Sequence, residues 1–124
     1  LTSTAVCLRK SRRISKMSLN EIANNPMPLA KLVEYQANSI VSKVLLKKKN
    51  GNVTLFAFWE GQELSEHISP FDAMVICLDG TGMVKIDGKE NVLNIGDVIG
   101  LPANRPHSVK SLENFKMLLI MVKE

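Results

Sequence analysis

Three turn dipeptides set the rhythm of this chain: Asn50-Gly51, Asp79-Gly80 and Asp87-Gly88. Asn, Asp and Gly accept the left-handed backbone that a tight hairpin demands, so each pair breaks any helix and reverses an extended chain. The pieces around them are short and rich in β-branched and apolar residues. They read SIVSKVLLK, VTLFAFW, AMVICL, GMVKI, ENVLNI, DVIGLP, HSVKS and FKMLLIMV. Turn signals about every eight to twelve residues, with about nine or ten short strands, predict a sandwich or barrel. No long amphipathic helical pattern separates the strands, which argues against a parallel α/β sheet.

A chain of 124 residues has room for one core. Upstream of the strands, Ser18 and Glu21 have the spacing of a capping box, which predicts a short N-terminal helix. Asn24, Asn25 and Pro26 end it after about two turns. The expected division is a flexible lead over residues 1–17 and one domain over 18–124.

The charge follows the same division. The sequence holds 16 Lys and Arg against 12 Asp and Glu, a net charge of +4. Five of the basic residues (Arg9, Lys10, Arg12, Arg13 and Lys16) lie in the first twenty residues with no acid among them. The other eleven nearly balance the twelve acids, so the body carries a net −1. A basic arm for nucleic acid is one reading of the lead. Without aromatic residues to stack on bases, a flexible lead is the plainer expectation, with Met17 placed to serve as a start. No apolar stretch has the length of a membrane span or a secretory leader. Cys7 lies in the polar lead and Cys77 in an apolar run, a poor disulfide pair, so a cytoplasmic home is expected.

Two stretches carry more than fold. They are GQELSEHISPFDAMVICLDG, residues 61–80, and GDVIGLPANRPHSVKS, residues 96–111. Together they resemble the two motifs of the cupin superfamily, small jelly-roll barrels also described as double-stranded β-helices. In the first, Gly61, His67 and Gly80 fit. Ser69 stands where the family has a second histidine, and Ala73 stands for its glutamate, with Asp72 alongside. In the second, Gly96, Pro102 and His107 fit. Asn104 replaces an inner glycine and Ser111 an asparagine. The resemblance covers about residues 28–123 and implies an all-β conserved barrel of the Cupin 2 type.

Metal-binding cupins use three imidazoles and one carboxylate, a set suited to Fe, Mn, Ni or Zn. Here only His67 and His107 survive, and the sequence has no other histidine. The expectation is a degenerate metal site without a cofactor: a polar pocket around His67, Ser69 and His107 that binds an unknown small molecule. Cys77 shares strand parity with Ala73 and Val75, which aims it at the same pocket. Glu63 shares parity with His67. The alternative is a metal-dependent dioxygenase or isomerase that recruits Glu63 or Asp72 as an unconventional carboxylate. The last strand and SIVSKVLL are apolar on both faces, so something must cover them; a homodimer is expected.

Overall fold

The structure, a computed structural model, describes residues 12–124. Ten strands form among them: β1 Arg12–Lys16, β2 Ile40–Lys48, β3 Gly51–Phe58, β4 Glu63–His67, β5 Asp72–Asp79, β6 Gly82–Ile86, β7 Lys89–Leu93, β8 Val98–Leu101, β9 His107–Ser111 and β10 Phe115–Val122. They build a six-stranded sheet in the order β1-β2-β3-β10-β5-β8, facing a four-stranded sheet in the order β4-β9-β6-β7. Neighbours far apart in sequence pair antiparallel, as β3 and β5 do with β10, which is the jelly-roll pattern. No helix among the described residues is long and apolar enough to cross a membrane.

The core between the sheets takes Phe56, Phe58, Val75, Met117 and Leu119 from one sheet and Leu64, Val84, Leu93 and Val109 from the other. The alternation along β10 shows why. Phe115, Met117, Leu119 and Met121 are buried, while the residues between them are partly exposed, the two-residue period of a strand with a core on one side. β3 is buried on both faces. Its Leu55 and Ala57 point outward into a second cluster with Leu32, Val33, Val41 and Leu45. The chain's own segment around residues 29–35 covers that part of the outer face. Polar contacts tie it down: Lys116 Nζ donates to Ala30 O at 2.6 Å, and Tyr35 Oη donates to Asp79 Oδ2 at 2.5 Å.

Three local expectations need correction. The capping box forms as expected, with Ser18 Oγ and the Glu21 carboxylate each holding a backbone amide. It opens a single 3-10 turn, Leu19–Glu21, and not a two-turn α-helix. The end of the basic segment is not loose, because β1 pairs parallel with β2 from Arg12 to Lys16; residues 1–11 of the lead lie outside the described residues. The β2–β3 hairpin pairs Lys48 with Gly51, so its loop is Lys49-Asn50, one residue early. Neither Asn50 nor Gly51 has positive φ. Gly51 serves differently: a Cβ there would sit 2.6 Å from Met121 O on β10. Asp87 (φ 50°) and Gly88 (φ 82°) do form the expected left-handed pair between Ile86 and Lys89.

Candidate functional site

Between the sheets lies a cavity lined by His67, Ser69, Ala73, His107, Met117 and Met121, among other residues. The two histidines come from adjacent strands. His67 ends β4, His107 begins β9, and the two are paired across the ladder. Their rings meet edge to face with centroids 4.4 Å apart. His107 is buried and His67 half-buried.

Each ring is oriented by backbone. His67 Nδ1 lies 2.8 Å from Ser65 O, and His107 Nδ1 lies 3.1 Å from Arg105 O. A carbonyl oxygen only accepts, so both Nδ1 atoms carry the proton and donate it. In the neutral rings each Nε2 is then left with a bare lone pair. Burial lowers the pKa of His107, and His67 beside it lowers it further; the hydrogen bond to Arg105 O acts the other way. His107 is therefore the neutral, electron-pair-donating form at pH 7.

The loops that bring the two motifs together also follow from sequence. Asn104 N donates to Ser69 O at 2.7 Å. Asn104 takes φ 65°, a conformation that Asn tolerates better than most residues, so it can stand in for glycine at this turn. Ser69 Oγ accepts from Phe71 N at 3.2 Å. Asp72 Oδ1 accepts from Ala103 N at 2.9 Å, and Arg105 pairs with Asp87. Ser111 is buried and donates to Trp59 O, closing the turn that precedes β4.

Neither carboxylate that the alternative reading would recruit lines the cavity. Glu63 is exposed and pairs with Lys110 on the ladder, while its neighbour Leu64 lines the cavity. The parity expectation fails because β4 is bulged. Three residue steps from Leu64 to His67 stand opposite two from Val109 to His107, so Leu64 and His67 share a face that simple alternation denies them. Asp72 is exposed and occupied by Ala103 N. Cys77 is on the inner face, as its parity requires, but beyond the cavity. It lies two residues past Val75, packed in the core with Sγ 3.4 Å from Gly80 O, and burial raises its pKa. It is not available to His107 as a nucleophile.

Ala73 and Ser69 therefore occupy the positions of two metal ligands with side chains that cannot replace them. Among the described residues, no three His, Cys, Asp or Glu side chains gather in a way that would hold a metal. The residues present do not fit a three-histidine, one-carboxylate centre. Sequence reasoning missed the cavity's sulfur: Met117 and Met121, on the inward positions of β10. FKMLLIMV is apolar at every position after Lys116, so only the burial pattern of the folded strand marks its inward set.

The cavity is small. Its free volume is about 30 Å³, where one water needs about 10–15 Å³. It admits an ion or a ligand of a few atoms in the shape seen.

Comparison with known proteins agrees with this architecture. The family model described as a cupin domain matches residues 54–123. A conserved protein of unknown function from Streptococcus pyogenes is 32% identical, with a TM-score of 0.80 over 82% of this chain and 90% of that one. A cupin superfamily protein from Desulfitobacterium hafniense is 29% identical, with a TM-score of 0.79 over 82% of this chain and 94% of that one. A Cupin 2 conserved barrel domain protein from Leptotrichia buccalis is 49% identical over 78% of this chain, with a TM-score of 0.76; the match spans 47% of that longer chain. No curated protein matches.

Proposed function

The chain belongs to the cupin superfamily, and from that premise we propose that it binds a very small ligand through the paired Nε2 atoms of His67 and His107. The observation that carries this reading is the orientation of the rings. Two backbone carbonyls fix both Nδ1 protons, so two lone pairs are presented within one largely apolar cavity. The ligand must accept those pairs, either by donating hydrogen bonds or as a cation. Binding is favoured over turnover because, among the described residues, no cysteine or carboxylate joins the pair: Cys77, Glu63 and Asp72 all lie elsewhere. The free, buried Cys77 suits a reducing compartment such as the cytoplasm. A second copy of the chain is proposed as its partner, through the part of the outer face that its own N-terminal segment leaves uncovered.

Nitrogen NMR of the two histidines at pH 7.5 tests the binding reading. Formamide, methylamine and ethanol serve as few-atom donors. At least one is expected to move both Nε2 resonances saturably, and His67→Ala is expected to abolish the effect. Resonances that ignore every donor and every metal ion would remove the reading.

A further inference from the structure

Among the described residues no carboxylate lines the cavity, and two of its donors are soft thioethers. Two imidazole nitrogens lie on β4 and β9, and two thioether sulfurs, Met117 and Met121, lie on the facing strand β10. Met121 is paired across the ladder with Ala73. The sulfur-bearing side chain therefore stands beside the position where the related motif has its glutamate, and Ala73 contributes only a methyl group there. We infer that this cavity is a site for a soft monovalent metal ion, Cu(I), held by His67 Nε2, His107 Nε2 and the Met121 thioether, with Met117 beneath it. The inference rests on the binding reading above and names its ligand class.

Three arguments favour this ion over the divalent metals. Thioether donors select Cu(I) and imidazole accepts it, whereas Mn(II) and Fe(II) favour a carboxylate, and none lines this cavity among the described residues. Charge points the same way. A divalent ion among neutral ligands would leave two uncompensated charges in an apolar space, and the Born cost of burial rises with the square of charge, so a monovalent ion pays about a quarter of it. Size agrees as well, since room for about two waters suits a bare ion better than most organic ligands. The backbone carbonyls already hold each ring in the tautomer that exposes Nε2.

The test is anaerobic competition for Cu(I) against bicinchoninate, whose coloured Cu(I) complex bleaches as the protein takes the ion. It uses the full chain carrying Cys7→Ser, since a thiol outside the described residues would compete. The expected result is one equivalent taken up, with the Met121 methyl and both histidine Nε2 resonances shifting together. Met121→Leu keeps the apolar volume and is expected to weaken binding about tenfold or more; Zn(II) is expected to displace little Cu(I). Copper that stays on the indicator overturns the inference. So does uptake that leaves the methionine methyls unmoved or is unchanged in a Met117→Leu/Met121→Leu double variant, since the ion would then sit elsewhere. If few-atom donors move the histidines and Cu(I) does not, the binding reading survives and the copper assignment falls. If neither moves them, both fall.

Discussion

At the scale of single residues, the histidine pair makes a prediction about pH. Folding lowers the pKa of His107, first by burial and then by the neighbouring His67. The unfolded chain therefore takes up this proton more readily than the folded one. Stability from this residue is fully present above the unfolded value of about 6.5 and is lost as pH falls through it toward the lower folded value. The urea midpoint is expected to be lower at pH 5 than at pH 7.5, and His107→Gln should shrink the difference. Parallel urea titrations check it, and an equal drop in both proteins would show that His107 is not its source. The vacated ligand positions make a second prediction. Ala73→Glu alone buries a carboxylate in an apolar cavity, at a cost of about 1–3 kcal/mol. Combined with Ser69→His, it should restore a binding set for Mn(II), Ni(II) or Zn(II), raising the melting temperature in saturating metal. Stabilisation at a hundred times the Kd is about 2.7 kcal/mol, well within thermal-shift detection. No metal-dependent shift would mean that the two positions do not converge on the histidines.

At the scale of elements, the turns can be ranked by what a methyl group would meet. Gly80 has φ 70°, and a Cβ there would lie 1.7 Å from Asn114 O; Gly88 has φ 82° and open space around it. Gly88→Ala should therefore cost only left-handed strain, about 1–2 kcal/mol. Gly80→Ala should cost about 3 kcal/mol or more, because the loop before β10 must move as well. Chemical denaturation of both variants measures the difference; similar losses would mean that φ alone matters at Gly80. These elements also show where sequence was legible. GMVKI, HSVKS and FKMLLIMV coincide with β6, β9 and β10, because alternation and Asp-Gly turns are local signals. His67, Ser69 and His107 line one cavity. The position of Glu63 could not be read, because the bulge in β4 is set by pairing with β9, over forty positions away in sequence. β1 escaped for a related reason: RRISK has little apolar pattern of its own, and its partner β2 supplies the ladder.

At the scale of the whole molecule, the six-stranded sheet has two faces to bury, and they are buried unequally. Its inner face meets the four-stranded sheet. On the outer face, Leu32 and Val33 cover β2 and β3 near Leu55 and Ala57. Val33→Asp should therefore lower stability by about 3 kcal/mol or more, since it buries an unpaired charge outside the main core. The cover reaches β5 only at its end, through Leu78 and Asp79, and leaves the rest of β5 and β8 open. Met74, Val98 and Val122 are 45%, 59% and 56% exposed, and the ladder sets Met74 beside Ile120 and Ile76 beside Val98. These residues form a continuous apolar strip running to β8, the edge strand. An apolar strip that reaches a sheet edge, with Asp72 at its border beside Val122, can pair with itself across a two-fold axis, and self-pairing would protect the edge as well as the strip. The expectation of a homodimer thus narrows from whole apolar strands to this strip. Sedimentation velocity across micromolar concentrations is expected to show dimer. Met74→Glu places a charge from each copy near the two-fold axis and should give folded monomer with an unchanged circular dichroism spectrum. A wild-type chain that stays monomeric would leave the strip without its partner. A Met74→Glu variant that stays dimeric would place the interface on another face.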